Sequence, residues 1–196
     1  MPTEPAERLH TGRWPTRLSA ALDWLVRETA GQPFLDNLFA ELCQRLVAEG
    51  LPLARTTMHL RTLHPQFRGA RVLWRPGMAE AELSLIGHDA FDERQFVNSP
   101  VWALYEGADG IRERLDMSPS ATGQEYGIYA DLRAEGLTDY VALPIQFTDG
   151  KRHATSWSTD RPGGFSTADL VEIIDVLPVL ALAVAVSYTH LRAHET

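Results

Sequence analysis

Apolar residues recur at helical spacing from about Arg17 to Glu28, where Leu18, Ala21, Leu22 and Leu25 share one face, and Gly31-Gln32-Pro33 then breaks the pattern. A second amphipathic helix is predicted from Pro33 to Glu49, with Leu35, Leu38, Phe39, Leu42 and Leu46 on its apolar face and Gly50 as its stop. After Gly50 the period shortens from 3.6 to 2. Ala54, Thr56, Met58 and Leu60 alternate with Arg55, Thr57, His59 and Arg61, as in a half-buried strand. Two further strands are predicted at about Ala70 to Arg75 and Ala79 to Ile86, joined through Arg75-Pro76-Gly77 as a meander. A short helix follows at Ser99 to Glu106, with Pro100 in its first turn, then a brief strand at Ile111 to Leu115.

Met117 to Gly123 reads as a surface loop, and Gln124 to Glu135 resumes a helical pattern that Gly136 ends. Next comes a hairpin: Val141, Leu143, Ile145 and Phe147 alternate toward one face, Thr148-Asp149-Gly150 turns the chain, and Arg152 to Thr159 returns. Pro144 lacks a ladder donor, which argues for an edge position or a bulge. The last helix opens after Arg161-Pro162-Gly163-Gly164 with a hydroxyl cap and an acidic first turn in Ser166-Thr167-Ala168-Asp169. Leu170, Ile173, Ile174, Leu177, Leu180, Ala181 and Val184 mark its apolar face. Hairpin connections with helices gathered at the two ends imply an α+β domain, an antiparallel sheet of about five or six strands with helices mainly on one face.

Length then sets the domain count. The 196 residues fit one domain, with residues 1–15 expected to be a flexible N-terminus and 16–186 the folded unit. Residues 187–196, SYTHLRAHET, drop the apolar period in mid-helix and resemble translated sequencing-adapter tails, so His190 and His194 are set aside as probes of chemistry and the native chain is expected to continue differently after Val186.

Composition narrows the chemistry. A formal charge of −8, with Lys151 the single lysine among 18 basic residues and no dense basic run, disfavours nucleic-acid binding. One cysteine, Cys43, leaves no disulfide framework and suits a reducing, cytoplasmic setting. The apolar run Val176 to Val186 is too short for a bilayer span and contains Pro178. No nucleophile-elbow, Walker, zinc-helix or dinucleotide-glycine motif occurs. His59, His64, His88 and His153 are scattered singly, so neither a catalytic residue, a metal nor a cofactor is assigned.

The aromatics with a polar handle are the ligand-binding candidates: Trp74, Tyr126, Tyr129, Tyr140 and Trp157, with Trp102 nearby in sequence pattern. Their simpler reading is a core edge. Arg55, Arg61, Arg71 and Arg75 could bind an anion, although a solvated sheet face paired with Glu80 and Glu82 is the plainer account.

The hairpin and last helix, YVALPIQFTDGKRHATSWSTDRPGGFSTADLVEI, resemble the end of a GAF domain. With GLPLARTTMHLRTLHPQFRGARVLW, SPVWALYEG, IRERLD and DLRAEGLTDYVALP, the stretch from Phe34 to Val186 resembles the N-terminal regulatory region of bacterial class III adenylate/guanylate cyclases. That resemblance implies a sensory domain without activity of its own, feeding a cyclic-AMP-forming domain that this chain lacks. It also implies a small ligand between the sheet and the Gln124 to Glu135 helix, and a homodimer through the terminal helices, with the final helix as transmitter. A GAF-type module of a kinase or diguanylate cyclase is the alternative. A GAF-like methionine sulfoxide reductase would need a reactive thiolate, a role for which Cys43 on an apolar helix flank is poorly suited.

Overall fold

The computed structural model describes residues 19–27, 34–61, 67–87, 98–117, 125–147 and 150–193, with the backbone alone at 67–68 and 186–193. The expected flexible N-terminus lies outside these residues. Among them are helices α1 (Ala20–Arg27), α2 (Leu35–Ala48), α3 (Pro100–Tyr105), α4 (Gly127–Ala134) and α5 (Thr167–Ala193). The strands are β1 (Arg55–Arg61), β2 (Phe67–Trp74), β3 (Glu82–Gly87), β4 (Ile111–Arg114), β5 (Asp139–Gln146) and β6 (Arg152–Thr159).

The six strands form one sheet in the order β3-β2-β1-β6-β5-β4, and every adjacent pair is antiparallel. Central β1 joins the meander to the hairpin: Thr56 faces Trp74 on one side and Trp157 on the other. The expected α+β architecture is therefore present. Pro144 lies in the half of β5 that β4 does not flank, since β4 pairs only with Asp139 to Ala142. An interior strand can thus hold a proline at a place that is locally an edge.

Local chemistry starts and stops the helices. The Ser99 hydroxyl accepts the Trp102 N–H at 3.2 Å, and Pro100 sits in the first turn of α3. At the start of α5, Ser166 Oγ accepts the Asp169 N–H at 3.2 Å while the Asp169 carboxylate accepts the Ser166 N–H at 2.6 Å, a reciprocal capping box. Gly50, at φ 106°, ends α2 with its N–H on the Val47 carbonyl, a conformation that glycine adopts without steric cost. Helix α5 continues through Ala193.

Two apolar clusters lie on opposite faces of the sheet. On one, α1, α2 and α5 cover Met58, Leu60, Val72, Trp74, Val141, Ile145 and Trp157. On the other, the short helices α3 and α4 contribute Val101, Leu104, Tyr129 and Leu132, which meet Tyr140, Ala142 and Ala154. The helices gather mainly on the first face because α2 and α5 present long apolar stripes there, whereas α3 and α4 offer only short ones. Cys43 belongs to the first cluster, is fully buried, and burial pushes its thiol well above the ordinary range, which removes it as a nucleophile.

Candidate functional site

Strand parity divides the five candidate aromatics. Trp74 and Trp157 flank Thr56 and point into the α1/α2/α5 layer. Their indole N–H groups are satisfied within the core, Trp74 by the Met78 carbonyl at 3.1 Å and Trp157 by Thr155 Oγ1 at 3.0 Å. Tyr126, Tyr129 and Tyr140 gather instead where α3 and α4 meet the sheet. Ring centroids are 5.5 Å apart for Tyr126 and Tyr129 and 5.7 Å for Tyr129 and Tyr140, both edge-to-face. The structure therefore brings the three tyrosines together and separates them from the two tryptophans by the thickness of the sheet. Trp102 stands on α3.

The tyrosine side of the sheet is polar where it passes under the helices. Its cross-strand rows run from Arg55 to Ser158 to Tyr140 to Glu113, from Leu73 to Thr57 to Ser156 to Ala142, and from Arg71 to His59 to Ala154. Thr57, Ser156, Ser158 and Glu113 are all buried. Thr57 Oγ1 hydrogen-bonds with Ser156 Oγ at 2.6 Å and with His59 Nε2 at 3.0 Å, and the Tyr140 hydroxyl hydrogen-bonds to Ser156. A polar chain thus crosses three strands from Tyr140 to His59. Sequence reasoning missed its two middle members, Thr57 and Ser156, and Ser158 beside them; the signal was their place on the same strand face as the arginines, in strands that alternate with period 2.

Electrostatics set the protonation of this face. Burial, and then the charges of Arg71 and Arg55, push His59 down to about 3, so its imidazole is neutral. Burial likewise raises the phenols of Tyr129 and Tyr140 above their ordinary value, so both remain hydroxyls. Two fully buried groups, the Tyr129 hydroxyl and Ser158 Oγ, have no hydrogen-bond partner among the described residues. Leaving such a group unsatisfied costs about 1–3 kcal/mol, so each marks a place where a further polar atom would be stabilising.

The expected solvated arginine face forms only in part. The Arg55 side chain is only 11% exposed and lies 3.8 Å from Glu135, while Arg75 donates to both Glu135 oxygens at 3.0 and 3.1 Å. Glu82 serves Arg71 at 3.5 Å, as expected of a surface pair. Arg61 instead stacks over Tyr105, 4.9 Å from the ring centre. Glu135 takes the place envisaged for Glu80 because the end of α4 is folded over β1 and β2.

A clasp that sequence reasoning did not single out holds α5 to the sheet. Asp139, fully buried, accepts from Arg112 Nη2 at 2.7 Å and from the Phe165 N–H at 2.9 Å. Arg112 Nη2 also donates to the Phe165 carbonyl at 2.8 Å. A side chain on Gly164, at φ 72°, would run into the Asp139 carboxylate. No group of three or more metal-ligating side chains is placed to hold an ion among the described residues, and no described helix is long and apolar enough to cross a membrane.

No family model matches the sequence, and no curated protein matches it. Solved structures do. The chain superposes on the GAF domain of a two-component sensor histidine kinase from Bacillus halodurans with a TM-score of 0.55 at 15% identity, covering 80% of this chain and 97% of that one. The fold is that of a GAF domain. The GAF domain of an Acinetobacter phosphoenolpyruvate-protein phosphotransferase gives 0.54 at 15% identity, over 86% and 93% of the two chains. A phycoerythrobilin-bound GAF domain from a cyanobacterial phytochrome gives 0.52 at 14% identity, over 90% and 98%. This GAF fold places its polar, tyrosine-bearing sheet face beneath α3 and α4, and α5 on the opposite side.

Proposed function

We propose that the chain is a non-catalytic sensory module that binds a small molecule on the polar sheet face and transmits the event through α5. The observation that carries this reading is the pair of buried, unpartnered hydroxyls of Tyr129 and Ser158 beside the Tyr140–Ser156–Thr57–His59 chain. A ligand able to hydrogen-bond would satisfy groups that have no partner among the described residues. The phytochrome GAF domain, which holds phycoerythrobilin, supports a small-molecule role for this fold. Tyr126, Tyr129 and Tyr140 are the aromatic ligand contacts in this account. Trp74 and Trp157 act on the site only by fixing the strands from behind.

The output reading rests on α5. Val171, Ile174 and Leu182 are 51, 52 and 57% exposed, and exposed Pro178 lies between them at helical spacing, so one apolar stripe points away from the domain. We assign that stripe to a twin helix in a homodimer. The cyclase-like sequence segments make a class III adenylate/guanylate cyclase domain our preferred output. A kinase output is the second reading, favoured by the superposition on the sensor histidine kinase domain.

Native mass spectrometry of freshly purified protein tests both parts in one spectrum. A dimer carrying a retained small molecule is expected, and Tyr129→Phe should lose most of that molecule while keeping the dimer. A bare wild-type protein would overturn the ligand reading, and a strict monomer at high concentration would overturn the dimer.

A further inference from the structure

Three arginines share the β1–β2 side of the polar face, and among the described residues they meet fewer carboxylates than their own number. Arg55 and Arg75 share the single carboxylate of Glu135, at 3.8 and 3.0 Å, and Arg71 has only a 3.5 Å contact to exposed Glu82. Among the described residues, these three guanidinium charges against two carboxylates leave a formal excess of one positive charge. The Nε atoms of Arg55, Arg71 and Arg75 are buried and have no hydrogen-bond partner among the described residues. Each is one arm of a fork whose geometry matches a carboxylate or phosphate.

The surroundings register that excess. Burial lowers the pKa of Arg55; Glu135 opposes the shift, while Arg75 and Arg71 add to it. His59, the direct cross-strand neighbour of Arg71, is held neutral by burial and by the charges of Arg71 and Arg55. Beside these groups stands Ser158, directly opposite Arg55, fully buried, with its hydroxyl unpartnered among the described residues. Arg71 and Arg75 are 38 and 43% exposed, so the cluster opens to solvent at one end and meets the buried hydroxyls at the other.

We infer that this cluster is an anion subsite, and that the ligand of the sensory face is a small molecule bearing a carboxylate or phosphate group held by Arg55 and Arg71 with Ser158 as a hydroxyl donor. The inference rests on the ligand-binding reading and names its chemical class. Burial makes the site selective: a neutral ligand can supply an acceptor but no compensating charge, whereas an anion supplies both. Glu135, shared and partly exposed, is the counter-ion the anion would displace or join.

Thermal melting with three probes tests the inference: inorganic phosphate, succinate and the neutral diamide succinamide, at ionic strength matched with sodium chloride. Phosphate or succinate well above its dissociation constant is expected to raise the melting temperature by roughly 5–10 °C, and succinamide is expected to leave it unchanged. Arg71→Gln should abolish most of the anion response. Arg75→Gln, at another partly exposed position, should weaken it and serves as the second variant if the first melts too low. A response that survives both substitutions, or no response to either anion, would overturn the inference. Stabilisation by succinamide alone would overturn the anion class yet leave the ligand-binding reading intact; that reading is judged separately by the retained mass.

Discussion

Asp139→Ala is expected to lower stability by about 3 kcal/mol, read as a shifted urea midpoint, because it breaks the clasp at both of its ends. The carboxylate is fully buried and receives Arg112 and the Phe165 N–H. Removing it leaves the Phe165 N–H, in a residue only 3% exposed, without its acceptor. Arg112 is 38% exposed and can recover water, which keeps the loss below that of a fully enclosed ion pair. Asp139→Asn retains an acceptor oxygen and should cost about half as much. The clasp spans β4, β5 and the entry to α5, so its loss should also loosen the first turn of α5 before the sheet melts. A change below 1 kcal/mol would mean that the clasp does not hold the helix.

Trp157→Ala is expected to cost about 3–5 kcal/mol, the range for truncating a large core aromatic. The side chain is wholly buried between Thr56 and Val141 on the neighbouring strands, under the α2/α5 layer. Its removal opens a cavity and also strips the indole donor from Thr155 Oγ1. The effect should be confined to stability: at a temperature where the variant remains folded, it should retain ligand as the wild type does. Lost retention in a fully folded Trp157→Ala protein would return this residue to the ligand site.

Much of this arrangement was legible in the chain. The 3.6-residue stripes of α2 and α5 and the alternation in β1 and β5 predicted their elements, and Val141, Ile145 and Phe147 do share the helix-covered face. The split between tyrosines and tryptophans was partly legible too. The turn at Gly150 sets Gln146 opposite Arg152, which fixes Tyr140 opposite Ser158 and Trp157 opposite Val141, on alternate faces. Trp74 was not accessible by the same route, because the sequence between β1 and β2 carries no Asn-Gly or Asp-Gly pair from which their register could be counted. Nor could periodicity reveal that the arginine face of β1 is covered, since α3 and α4 reach it from 39 or more residues away in sequence. The Asp139 clasp joins residues 27 and 26 positions apart, a pairing that only the closed sheet creates.

These elements converge on a coupling between the polar face and α5. The hairpin β5–β6 is the physical link: Tyr140 and Ser158 stand on one side of it, Asp139 anchors its start to Phe165, and Val141 and Trp157 pack beneath α5. A ligand that tightens one side of this hairpin biases the other only through a difference in affinity between two arrangements.

Hydrogen exchange read by mass spectrometry tests that coupling most directly, comparing protein as purified with protein unfolded, dialysed and refolded to strip small molecules. The account predicts faster exchange after stripping both in Arg152 to Thr159 and in the first turns of α5, from Thr167 to Val176. Faster exchange confined to the sheet, with α5 unchanged, would contradict it.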